Sequence, residues 1–183
     1  MSTKPPVPDG CDLPRAATAL RESLDAIGFH GDPEMDTTPE RVSQFLSEFR
    51  PGPLPPVTPL TTLSSNPIVI RSIPYYSLCA HHLLPFFGHC TIVYLPNGAI
   101  AGLGWFPRLL EALARRPQLQ ERLAENLAQE VYQALNPTGV AVSITARQMC
   151  VEMRGARSPG TYEVTASAGD AAPDLLAMLT RRG

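Results

Sequence analysis

Apolar residues fall into two rhythms along this 183-residue chain, and the change of rhythm marks its elements. Between Asp12 and Ile27, Leu13, Ala17, Leu20, Leu24 and Ile27 recur at steps of three and four, one face of an amphipathic helix that Gly28 stops. A second helix is predicted from Thr37-Thr38-Pro39-Glu40, where a threonine cap, an early proline and an early acid favour a start. Val42, Phe45, Leu46 and Phe49 are its expected buried stripe. Prolines crowd residues 51–59 and end that helix, as an extended linker within the domain. Ile- and Val-rich runs at 68–73 and 90–95 predict strands, with Pro96-Asn97-Gly98 as a turn and 100–103 as a short strand after it.

A helix is expected over 107–114. After Pro117 comes a longer one, with a ridge at Leu119, Leu123, Leu127, Val131 and Leu135. Strands at 140–146 and 162–167 and a terminal helix over 174–180 complete the pattern. Helices, a hairpin, two helices and a second hairpin predict an antiparallel α+β domain over residues 12–183, preceded by a mobile tail over 1–11.

Composition narrows the class. With 44% hydrophobic and 17% charged residues the chain is globular, and a net charge of −2 gives no basic nucleic-acid footprint. No apolar run approaches the roughly 20 residues that span a bilayer, and the proline-rich start lacks a secretory pattern. We expect a cytoplasmic protein, with its four cysteines reduced or bound to metal. Lys4 is its sole lysine; every other cationic side chain is arginine.

The chemistry-bearing cluster is Cys79-Ala80-His81-His82, with Cys150 far downstream. Cys and His at i and i+3 can meet one ion in a turn, and two thiolates with an imidazole suit zinc. Three protein ligands leave a fourth position for water, whose pKa zinc can lower to about 7. Spacing alone leaves open the plainer alternative that these are small buried cysteines. Cys90, in an apolar strand, is expected to pack; Cys11 falls in the tail, and His30 and His89 are expected at the surface.

Several motifs in order then carry a resemblance. Thr38-Pro39-Glu40-Arg41-Val42, Cys79-Ala80-His81-His82-Leu83-Leu84-Pro85-Phe86, the Arg115–Leu123 run and Met149-Cys150 with Met153-Arg154-Gly155 resemble the signatures of the GTP cyclohydrolase I family. That resemblance implies the tunnelling fold, an antiparallel sheet with helices on one side. It also implies rings that pair as a homodecamer, with active sites between subunits. It implies zinc on Cys79, His82 and Cys150. Glu121 would hold the guanine-type edge, with Gln120 and Leu103 framing the pocket, and His81 would serve as proton donor. Arg41, Arg108 and Arg154 would meet a triphosphate, for which guanidinium forks are suited. The implied reaction converts GTP and water to 7,8-dihydroneopterin triphosphate and formate, in pterin biosynthesis.

Four positions depart from the family pattern. Gln148 replaces a histidine of the catalytic set, and glutamine exchanges no proton near neutral pH. Ala80 replaces a glutamate, Trp105 a lysine (with Gly104 for the serine before it), and Gln44 a further lysine. Trp105 could offer a flat face to a ring or close the phosphate end. Two alternatives therefore stand beside GTP hydrolysis: a paralogue acting on another purine-like ring with less or no phosphate, and an inactive metal-containing partner or regulatory subunit.

Overall fold

A computed structural model of the chain describes residues 10–180. Its contacts divide it into two compact units, one ending at Arg50 and one beginning at Pro51. Of the expected tail, residues 1–9 lie outside the described residues; Cys11 Sγ accepts a hydrogen bond from Arg50 Nη1 at 3.0 Å.

The first unit is a helical hairpin. Helix α1 (Leu13–Ala26) begins where the Asp12 carboxylate accepts from the Arg15 N–H, and the chain leaves it through Gly28 at φ 91°. A 3₁₀ turn (Pro33–Met35) leads to α2 (Thr38–Ser47), with Pro39 in its first turn. Thr37 stands at the expected cap, but its side chain makes no capping bond. The apolar stripes are covered only in part: Ala17 and Phe49 are buried, while Ile27 and Phe45 are 67% and 41% exposed. Two short helices have too little mutual surface to cover both stripes.

The second unit is built on an antiparallel-dominated sheet. β1 (Leu60–Thr61) pairs with β4 (Ala99–Ile100) in a two-stranded ribbon. The main sheet joins β2 (Ile68–Cys79), β3 (Pro85–Leu95), β5 (Pro117–Gln118), β6 (Gly139–Gln148) and β7 (Tyr162–Gly169) in the order β5-β2-β3-β6-β7. All neighbours run antiparallel except β5, which lies parallel to the end of β2. Between β4 and β5 comes α3 (Trp105–Ala114), and between β5 and β6 comes α4 (Gln120–Leu135). Asn136, in the left-handed region at φ 45°, ends α4. A single turn, α5 (Met149–Glu152), follows β6, and α6 (Ala172–Thr180) closes the fold.

The leucine ridge does what its spacing predicts. Leu123, Leu127, Val131 and Leu135 are buried against Ile92, Val142 and Ile144 of the sheet, joined by Phe106, Leu109 and Leu110 of α3. Leu119 caps α4 instead of lying within it. The expected antiparallel sheet with helices on one side holds for α3 and α4. Helix α6 adds cover on the other face, where Leu175 meets Val93 and Ala141.

Strands β2 and β3 run further than the 68–73 and 90–95 segments predicted, and the extra length carries the functional end of the sheet. A bulge at 71–72, with Ser72 at φ 56°, separates the two registers of β2. No helix among the described residues is long and apolar enough to cross a membrane.

Close approach of β3 to β6 requires Gly88, since a Cβ there would lie 2.0 Å from the Thr145 carbonyl oxygen. Gly88→Ala is expected to cost about 1–3 kcal/mol of stability through overpacking. Gly160→Ala, which meets open space, should stay within about 0.5 kcal/mol of the wild type. Urea unfolding followed by far-UV circular dichroism checks both.

Candidate active site

The end of β2 is fixed by main-chain bonds before any side chain is considered. The Cys79 N–H donates to Leu84 O at 2.8 Å, the Ala80 N–H to Gln118 O at 3.0 Å, and the Leu83 N–H back to Cys79 O at 2.8 Å. Leu83 takes up a left-handed conformation, φ 53°, to close this turn. Ser77, two residues earlier, is buried and donates its hydroxyl to Ala114 O at 2.7 Å, tying the strand to the end of α3. The turn therefore presents Cys79 and His82 in a set geometry, and α5, following directly on β6, brings Cys150 to them.

The three expected ligands converge. One ligand atom from each of Cys79, His82 and Cys150 lies within 4.8 Å of the others, and Cys79 Sγ is 3.7 Å from His82 Nδ1. Tetrahedral zinc with bonds of about 2.3 Å to sulfur and about 2.0 Å to nitrogen sets ligand atoms roughly 3.5–3.8 Å apart; the Cys79–His82 pair has this spacing, and the thiol, thiol and imidazole donors are of the type that zinc takes. Burial foremost, then the neighbouring Cys79 sulfur, raises the Cys150 thiol above its ordinary range, with the Arg154 charge opposing. The other ring nitrogen of His82, Nε2, is 2.9 Å from Arg154 Nη1. Cys90 stands apart: wholly buried, with its thiol pushed well up by desolvation, it is a core residue.

Beside the cluster opens a cavity of about 430 Å³, lined among others by Cys79, His81, Gln120, Glu121, Gln148 and Cys150. Glu121 sits in the first turn of α4, where the helix dipole favours an anion. His81 is exposed, its ring 6.1 Å from that of His82 and nearly perpendicular to it. Gln120 is buried, and its Oε1 accepts from Gln148 Nε2 at 2.7 Å. Tyr162 and Gln118 also line the cavity, and sequence reasoning singled out neither. Tyr162 opens β7 and is 41% exposed, with no hydroxyl partner among the described residues. An aromatic at the start of a predicted strand was the available signal. Gln118 is buried, with its oxygen accepting from Arg122 and from the Leu119 N–H, and so braces the approach to α4.

Other expected site residues lie elsewhere. Leu103, Trp105 and Arg108 line a separate groove of about 360 Å³ with residues 56–58. Trp105 is only 4% exposed: its indole N–H donates to Pro55 O at 3.1 Å and its ring meets Phe106 edge-on, leaving little face for a ligand. Ala80 is exposed in the turn. Arg41 belongs to α2 of the first unit and is exposed. In that unit Gln44 lines a groove of about 470 Å³ with Arg21 and Glu40, and its buried amide has no hydrogen-bond partner among the described residues.

Comparison with known proteins places this geometry. Residues 16–175 match the family model described as GTP cyclohydrolase I. The chain is 40% identical to the GTP cyclohydrolase 1 of Caldanaerobacter subterraneus subsp. tengcongensis, over 85% of its own length and 87% of that protein. Identity to the GTP cyclohydrolase 1 of Thermobifida fusca is 41%, covering 87% and 81% of the two chains, and to that of Hydrogenobaculum sp. 46%, covering 71% and 72%. Among solved structures, the apo form of the archaeosine synthase QueF-Like aligns with 60% of this chain and 98% of its own, at TM-score 0.46 and 23% identity. By the length of the family match and the extent of these identities, the chain belongs to the GTP cyclohydrolase I family.

Proposed function

We propose that the protein is a zinc-dependent cyclohydrolase that opens the imidazole ring of GTP, converting GTP and water to 7,8-dihydroneopterin triphosphate and formate. The observation that carries this reading is the convergence of Cys79, His82 and Cys150 beside a cavity that also holds Glu121 and His81. Zinc bound there supplies a Lewis acid and lowers the pKa of water to about 7. The chain's own residues supply the rest. The Glu121 carboxylate can accept two parallel N–H bonds from a guanine edge, which orients the ring. His81, an imidazole on the cavity wall, would donate a proton to the purine's imidazole nitrogen. Gln148 can bond but not exchange a proton, so it orients and does not shuttle. The guanidinium groups of Arg154, Arg108 and Arg41 suit phosphate oxygens. Reduced thiols in the site accord with a cytoplasmic setting.

Self-association into rings, in the form of a homodecamer, is part of this proposal. The outer edge of β7 and the stretch 68–77 of β2 face no strand among the described residues, so one sheet carries two open edges. Open edges of one sheet can pair between copies, and a head-to-tail contact closes a ring.

A second reading has its own support. Trp105 builds the core and Gln44 carries no charge, so two expected cations are missing from the phosphate end. A paralogue acting on a purine-like ring with less phosphate would tolerate that loss. Formate release from GTP and guanosine separates the two: the first reading expects strong preference for GTP, the second comparable turnover. An inactive subunit would release none.

Two further outcomes are expected. Purified protein should bind one zinc per chain. Cys150→Ser or His82→Ala should retain less than about a tenth of it in the same buffer, since each removes a ligand, while Cys90→Ala should load normally. Metal analysis after gel filtration decides this, and normal loading of Cys150→Ser would sink the ligand assignment. Glu121→Gln should raise KM for GTP roughly ten- to a hundred-fold, the value of a charge-assisted hydrogen bond lost. Zinc content should not change.

A further inference from the structure

Two of the glutamines that line the cavity, Gln120 and Gln148, form a chain whose direction the backbone decides. Gln120 Nε2 lies 2.8 Å from Ile144 O and 2.9 Å from Tyr162 O. Both partners are carbonyl oxygens and can only accept, so the amide nitrogen must face them and the amide has one permitted orientation. Both of its hydrogens are then used. Its Oε1 faces Gln148 and accepts from Nε2 of that side chain at 2.7 Å. This settles the second amide in turn: Gln148 turns its nitrogen to Gln120 and its Oε1 to the ligand cluster, 3.8 Å from Cys150 Sγ. Gln120 is 4% exposed, so water offers it no easy substitute partner.

We infer that Gln120 is a positioning residue, holding Gln148 so that position 148 presents a fixed hydrogen-bond acceptor to the reacting groups. The inference rests on the cyclohydrolase reading and changes one expectation within it. Gln120 was expected to frame the substrate pocket, but both its N–H groups are committed to the backbone, so it acts through Gln148. An amide oxygen held at that point favours an O–H or N–H directed at it, such as the attacking water or a hydroxyl formed at the attacked carbon. It takes up no proton near neutral pH.

A double-mutant cycle on the zinc-loaded protein tests this. Gln148→Met and Gln120→Met should each lower kcat for formate release from GTP about tenfold, one hydrogen bond's worth, with KM within about threefold. The double variant should fall about tenfold as well, because the second substitution removes a support that no longer has anything to hold. Zinc content and thermal midpoint of each variant control for folding. Should Gln120→Met not fold, Gln148→Asn carries the test: its shorter amide cannot bridge, so kcat should fall as in Gln148→Met while zinc content and GTP affinity hold. Losses that multiply to about a hundredfold, or a Gln148→Met protein with unchanged kcat, overturn the positioning role while leaving wild-type turnover intact. A zinc-loaded wild type that releases no formate from any purine overturns the cyclohydrolase reading and this inference with it.

Discussion

The last residues of β2 are held by hydrogen bonds from three directions, and the candidate site depends on that anchoring. Bonds from Cys79, Ala80 and Leu83 reach Leu84 O, Gln118 O and Cys79 O, so the turn is braced by the residue just before β3, by β5 and by itself. The brace holds Leu83 in a left-handed conformation that a residue with a branched side chain adopts at a cost of about 1–2 kcal/mol. Surrounding bonds sustain that strain, and in return Cys79 and His82 project toward one point. Cys150 reaches the same point because β6 pairs with β3 through Phe86 and Gln148, directly across from the turn. One sheet register thus sets the separation of two cysteines that are distant in sequence.

The same register explains why polar groups can stand inside this part of the fold. Ser77, Gln118 and Gln120 are all buried, and each finds partners on main-chain atoms or on a neighbouring side chain. A buried amide left unpaired would cost about 1–3 kcal/mol. Satisfied, these amides fix the start of α4 against β6 and β7, which puts Glu121 at a defined place on the cavity wall. Gln44 in the first unit is the contrast, with buried amide atoms that no described group satisfies. On the wall of the cavity beside Cys79 and Cys150, the buried amides of Gln118 and Gln120 are both hydrogen-bonded.

Much of this was legible in the chain, for identifiable reasons. Helix α4 declares itself through a four-residue leucine ridge that only one surface can bury, and its burial agrees. Cys79, His82 and Cys150 could be named because ligand chemistry restricts which residue types can meet one ion, and they do meet. The second half of β2 and the first half of β3 lie outside the Ile- and Val-rich runs that predict strands, and each contains a proline, Pro74 and Pro85. Pro85 opens its strand, and Pro74 follows the bulge of β2, positions that tolerate a missing N–H. The hairpin helices were overrated as buried stripes, since periodicity gives a face but not what covers it; Ile27 and Phe45 stay exposed. Tyr162 escaped notice because a β-strand's first residue carries no motif, and only the pairing of Tyr162 with Ala146 turns it to the cavity.

The departures from the family pattern do not all weigh alike once their surroundings are known. Ala80 is an exposed turn residue, so its side chain supports nothing else in the fold. Trp105 has a packing reason: the indole N–H satisfies Pro55 O and the ring fills space against Phe106, which pins the proline-rich segment to the start of α3. A lysine could not fill that volume, so at this position core building has displaced charge. Gln148 is different again. It completes the hydrogen-bonding of the buried Gln120 oxygen, so the exchange of histidine for glutamine keeps a donor at that point and removes a titrating group. A change that conserves a buried bond while deleting a proton site alters how the cavity handles protons more than how it is built. Of the three, only Gln148 touches the Cys79, His82 and Cys150 group, through Cys150 Sγ at 3.8 Å, and the Glu121 carboxylate on the cavity wall is retained.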